Sequence, residues 1–175
     1  GPTEYINQLA DSEDTTDALN AAIGLSDFYV HRFRGLDFEF EPKRLTNYSV
    51  SVSQFYGPGY ALTGNSTEFL DPVFSSGVCF ATESGILAAK LAKRQLEGES
   101  VDWEQEYTQY MRYGIDVFTT YVREWYTGNL QELFYHQPEN PDVKRKICAV
   151  LAGYVWDKEN PFVSKHQNII KNMAY

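Results

Sequence analysis

One stretch, Tyr60 to Val78, reading YALTGNSTEFLDPVFSSGV, constrains this chain more than any other. Tyr60-Ala61-Leu62-Thr63 is a short run bounded by glycines, and it reads as a buried strand ending at Gly64-Asn65. An Asp71-Pro72 corner follows, and Ser75-Ser76-Gly77 leads into a helix with Val78 in its first turn. Gly64 at a strand end allows a ligand to approach the backbone closely, and Asn65 offers a side-chain amide to hydroxyl groups. The N–H groups of Gly77, Val78 and their neighbours, unpaired at a helix start, make a site for partial negative charge. Asp71, Ser75 and Ser76 are also the residue types that cap helices, so capping and ligand binding are both open to them.

The flanks set the fold class. Thr3 and Thr15 read as caps of short helices, with Tyr5, Ile6, Leu9 and then Ala18, Leu19, Ala22, Ile23 at helical spacing and Gly24 as a stop. From Asp27 the period changes to two. Leu36, Phe38 and Phe40 alternate with acidic residues, and Tyr48, Val50 and Val52 alternate with Asn and Ser, which predicts half-buried strands. After Asp71 the pattern is helical throughout. A stripe of Val78, Ala81, Gly85, Ala88, Ala89 and Ala92 predicts a helix over 76–97 that ends at Gly98. A second helix starts near Ser100 or Asp102 and runs to about Gly128, about 40 Å long, with Trp103, Tyr107, Tyr110, Ile115, Phe118, Tyr121, Val122 and Trp125 inward. Asn140-Pro141 and Asn160-Pro161 each place a cap before a proline at the first helical position. The class is α+β, an antiparallel sheet followed by a mostly helical C-terminal half, with one division over 1–98 and another over 99–175.

Composition narrows the function classes. The chain of 175 residues is 43% hydrophobic and 15% aromatic, as a globular unit requires. Its net charge of −9 repels a phosphate backbone, so nucleic acid is not an expected partner. Cys79 and Cys148 stand far apart outside any paired motif, and His31, His136 and His166 fall on separate elements, so no metal site is signalled. The cysteine usage suits a reducing cytoplasm, and no apolar run approaches the roughly 20 residues of a membrane span.

The segment resembles the second FAD-binding motif of the flavin-dependent halogenases and their relatives among FAD-dependent monooxygenases and geranylgeranyl-reductase-like oxidoreductases. In that motif a strand ends in Gly-Asp and is followed by Phe, an aliphatic residue, Asp-Pro, an aromatic, Ser-(Ser/Thr)-Gly-Val and an Ala-rich helix. Gly64, Phe69, Leu70, Asp71, Pro72, Phe74, Ser75, Ser76, Gly77 and Val78 match it in order. The resemblance covers about residues 27 to 130 well and the tail loosely. It implies FAD as cofactor, with Gly64, Asn65, Asp71, Pro72, Ser75, Ser76, Gly77 and Val78 along one side of the pocket. Where the family has Gly-Asp this chain has Gly64-Asn65, which removes a carboxylate expected to bind a ribityl hydroxyl.

The family's Gly-x-Gly-x-x-Gly phosphate turn, catalytic Lys and Trp-x-Trp-x-Ile-Pro motif do not occur here. Gly57-Pro58-Gly59 has two of three glycines and precedes a strand, so it does not qualify. The resemblance therefore implies the C-terminal part of a longer FAD-dependent oxidoreductase, including its last FAD-domain strand. The chain alone would hold no flavin and be inactive, and its small-molecule substrate would be bound through an N-terminal region. No catalytic residue is assignable, and substrate, oligomeric state and the choice between halogenation, hydroxylation and reduction stay open. Two alternatives are a flavin-dependent reductase of prenyl-type double bonds and a non-catalytic helical interaction domain exposing an aromatic face along 103–126.

Overall fold

The computed structural model describes residues 6–8, 14–136 and 140–174, and the chain forms two compact units, residues 1–48 and 49–175. In the first unit, α1 (Thr15–Gly24) is capped by Asp14, whose carboxylate accepts from the Thr16 and Asp17 amides. The expected cap Thr15 is instead the first helical residue, and its hydroxyl donates to the Pro42 carbonyl at 2.6 Å. The expected cap Thr3, with Tyr5 and Leu9, lies outside the described residues. A second helix, α2 (Asp27–Phe33), replaces the start of the predicted strand region.

The alternation of Leu36, Phe38 and Phe40 forms no strand; all three are exposed in irregular chain. A strand needs a neighbour to take its N–H and C=O groups and a surface to bury its apolar face. Among the described residues of this unit there is no strand to pair with, and neither helix buries a residue.

The second unit carries the core. Its strands are short: β1 (Val50–Ser51) pairs antiparallel with β4 (Glu68–Phe69), and β2 (Tyr56–Gly57) pairs antiparallel with β3 (Tyr60–Ala61). The Tyr48–Val52 alternation thus yields two residues of strand. The Tyr60 run is likewise a hairpin arm with Tyr60 itself exposed, not a buried strand. Gly59, at φ +82°, makes the hairpin turn.

Helix α3 (Gly77–Leu96) matches the predicted span, but its buried face differs from the small-residue stripe. Phe80, Ser84, Ala88 and Leu91 are buried, whereas Val78, Ala81 and Ala89 are exposed. The long aromatic helix begins with a π-helical turn, Glu104–Thr108, and continues as α4 (Gln109–Tyr126). Tyr107, Ile115, Phe118 and Tyr121 are buried as the spacing predicts. Of the large apolar side chains along 103–126, Tyr126 alone is exposed, so the aromatic run is core and not a docking face.

The remaining helices are α5 (Asn129–His136), α6 (Pro141–Leu151), α7 (Pro161–Ser164) and α8 (His166–Met173). Asn140 and Asn160 cap α6 and α7 through their side-chain oxygens, each 3.0 Å from the accepted amide. Leu130, Leu133, Ile147, Val150, Phe162 and Ile170 close the core from these helices. Among the described residues, no helix is long and apolar enough to cross a membrane, and no group of His, Cys, Asp and Glu is arranged to hold a metal ion.

Candidate functional site

The hairpin delivers the chain to a 3₁₀ turn, Gly64–Ser66, that lies against α3. Gly64 has φ +59°, a conformation open to glycine at little cost. A Cβ there would stand 3.2 Å from that of Ala81, so the glycine lets this turn pack closely on the helix. Its amide donates to Ser84 Oγ at 2.8 Å, and its carbonyl accepts from Thr67 Oγ1 at 2.7 Å. Tyr107, from the π-helical turn, donates to the Leu62 carbonyl just before this turn.

Asn65 is exposed, and its Oδ1 lies 3.3 Å from where a Cβ would stand on Gly77. The strand end and the helix mouth are therefore in contact, with Gly64 against Ala81 and Asn65 against Gly77, one turn apart on α3. Asp71 caps the short 3₁₀ turn Pro72–Phe74, accepting from the Val73 amide at 2.8 Å, and does not cap α3. Its second oxygen accepts from the Tyr126 hydroxyl at 3.1 Å. Pro72 opens that turn, and Ser75 leaves it in the left-handed conformation, φ +54°.

Ser76 is buried at the N-cap of α3 but makes no side-chain capping bond. The first amides of a helix have no acceptor within it, so this end presents donors. Val78 is 77% exposed, which leaves one flank of the helix mouth open. Cys79, half-buried, contacts the Gly153 carbonyl through its sulfur at 3.6 Å. Burial and then the nearby Glu83 push its thiol up, so it is not an activated nucleophile.

Two residues of this constellation, Ser84 and Tyr126, escape a reading of the sequence, as does the partner of Tyr107, whose inward position the spacing gives. The signal for Ser84 is a lone hydroxyl within the face Phe80, Ala88, Leu91, where an apolar residue would otherwise stand. The pairings of Tyr126 and Tyr107 carry no local signal, because their partners are 55 and 45 residues away.

No family model matches the chain. It is 28% identical over 131 residues to the 1H-pyrrole-2-carbonyl-[peptidyl-carrier protein] brominase of Pseudoalteromonas luteoviolacea, covering 73% of this chain and 31% of that protein. It is also 28% identical over 138 residues to tryptophan 2-halogenase of Chondromyces crocatus, covering 70% and 26%. Among solved structures, a flavoprotein/dehydrogenase from Cytophaga hutchinsonii superposes with a TM-score of 0.89 at 45% identity, over 99% of this chain and 42% of that one. The chain is a homologue of flavin-dependent halogenases and of this flavoprotein/dehydrogenase. It spans about a third or less of the length of these curated relatives.

Proposed function

We propose that the chain supplies the flavin-facing strand-to-helix turn of an FAD-dependent oxidoreductase of the halogenase or monooxygenase type. Gly64, Asn65, Asp71, Pro72, Ser75, Ser76, Gly77 and Val78 bound one side of its pocket. The observation that carries this reading is the closure of Asn65 onto Gly77, which puts a side-chain amide beside uncapped helix amides. That donor set fits a flavin, whose ring offers carbonyl and nitrogen acceptors and whose ribityl chain offers hydroxyls. When bound, FAD supplies the redox chemistry with oxygen.

The chain's own residues bind and orient. The α3 amides favour negative charge at their end of the ring, because the helix dipole is positive there. Asn65 exchanges neutral hydrogen bonds with a hydroxyl where the family's Asp would make a charge-assisted one. Asp71 is held by Val73 and Tyr126 and fixes the corner that aims the helix. The substrate is a small molecule bound by protein outside these residues.

The test is flavin titration of the full gene product that contains this chain. Asn65→Asp is expected to tighten FAD binding about fivefold, the equivalent of about 1 kcal/mol, and to lower the reduction potential by returning a negative charge. If Asn65→Asp and Asn65→Ala both leave affinity and potential unchanged, the flavin does not lie at this strand end.

A further inference from the structure

Away from the candidate turn, three aromatic side chains and one carboxylate form a second ordered group. Tyr110 on α4 and Trp156 are stacked nearly parallel, with ring centroids 5.1 Å apart and an interplanar angle of 3°. The Trp156 indole N–H donates to the Tyr110 carbonyl at 2.9 Å. The space for the indole exists because residue 114 is glycine; a Cβ there would lie 2.5 Å from the ring. Trp156 also makes an edge-to-face contact with Phe80, ring centroids 6.2 Å apart, and Phe80 is in the first turn of α3, three residues after Gly77.

The Tyr110 hydroxyl donates to Glu83 Oε1 at 2.7 Å. That partner sets it apart from the buried Tyr107 and Tyr121, whose hydroxyls donate to the backbone carbonyls of Leu62 and Phe162. A carbonyl oxygen cannot take the proton away, whereas a carboxylate can. Tyr126 also meets a carboxylate, but at 3.1 Å and with its ring exposed.

We propose that Trp156, Tyr110 and Glu83 form a one-electron relay. An indole radical cation at Trp156, formed when a peroxyl- or halogen-radical-class oxidant takes one electron and leaves as its anion, takes an electron from Tyr110 across the stack while the phenolic proton moves to Glu83. The products are neutral indole, a phenoxyl radical and a carboxylic acid, so charge and electrons balance. A thiol-class donor returns the electron, becoming a thiyl radical and releasing its own proton to solvent, while Glu83 returns the phenolic proton. Coupling the two transfers matters here, because burial and the Glu83 carboxylate push the Tyr110 phenol well above its ordinary value and a free phenolate is inaccessible. The use of such a relay, draining stray oxidising equivalents from beside a flavin, rests on the proposed function; the electron transfer itself does not.

The experiment uses the chain with Cys79→Ser, Cys148→Ser and Val78→Cys, with a ruthenium polypyridyl photosensitiser tethered at the exposed position 78 and a sacrificial quencher in solution. Transient absorption follows the indole radical and its conversion to phenoxyl. In the parent the conversion is expected, and it slows in D2O because a proton moves with the electron. Tyr110→Phe and Glu83→Gln keep ring volume and side-chain shape, and near-UV circular dichroism checks that the stack survives. In both, the indole radical should live on the order of tenfold longer, a barrier higher by about 1.4 kcal/mol, while Trp156→Phe should remove the converting population. Phenoxyl formation at an unchanged rate in Tyr110→Phe or Glu83→Gln, or no solvent isotope effect in the parent, overturns the relay. No flavin is needed, so this result and a failure to bind FAD are read separately.

Discussion

The amide of Gly64 donates to Ser84 Oγ at 2.8 Å, and Ser84 in turn donates to the Phe80 carbonyl one turn back on α3. Both residues are buried. Ser84→Ala therefore leaves the Gly64 amide without an acceptor and without water, at a cost of about 1–3 kcal/mol. Urea unfolding should show a lower midpoint at unchanged m-value. An unaltered midpoint would mean that the turn at Gly64 does not depend on this bond.

Two helical glycines should respond oppositely to alanine. Gly114→Ala drives a methyl into the Trp156 ring, and overpacking of this kind costs about 1–3 kcal/mol. Among the described residues, Gly85 in α3 has nothing within 4 Å of its would-be Cβ. In the isolated chain Gly85→Ala should stabilise by about 0.5–1 kcal/mol, the usual helix-interior difference. Thermal melts of the two variants side by side check the contrast.

Thr108, at the junction of the π-helical turn and α4, is buried, and its hydroxyl has no hydrogen-bond partner among the described residues. Removing an unsatisfied buried hydroxyl while keeping the side chain's shape relieves a penalty of about 1–3 kcal/mol. Thr108→Val is expected to be neutral or stabilising in chemical denaturation, against the ordinary direction of core substitutions. Clear destabilisation would indicate that the hydroxyl is paired in solution.

His166 at the start of α8 is buried between Thr120, whose hydroxyl is 2.8 Å from Nδ1, and Asp116, 3.4 Å from Nε2. Burial pushes its imidazole below the ordinary value of 6.5, and the opposing pull of Asp116 is smaller. The unfolded chain then binds the proton more readily than the folded one. His166 thus contributes stability that is fully present above about pH 6.5 and is lost as pH falls through the folded pKa. Urea midpoints compared between pH 7.5 and 5 should fall more steeply for the parent than for His166→Gln. Equal slopes would show that His166 takes up its proton without strain.

The stretch from Tyr60 to Val78 was legible as an ordered motif because its chemistry is local: glycine at a positive φ, Asp before Pro as a cap, a helix opening at Gly77. The helix starts at Asn140 and Asn160 were legible for the same reason, since a cap bonds an amide two residues on. The aromatic helix was legible because its inward residues repeat over a long span at one period.

The strands predicted at Leu36 to Phe40 failed where a local rule needs a distant partner. Alternation describes which side chains share a face, and only a neighbouring strand can turn that face into a sheet. The same limit applies to the site. The sequence by itself determined which residues form the turn and the order in which they occur, through torsional preference and capping within a few residues. Tertiary structure alone decided that Asn65 closes on Gly77, that Ser84 receives the Gly64 amide, and that Tyr126 holds Asp71. These contacts join segments up to 55 residues apart, and they form only when burial of a shared apolar core brings those segments together.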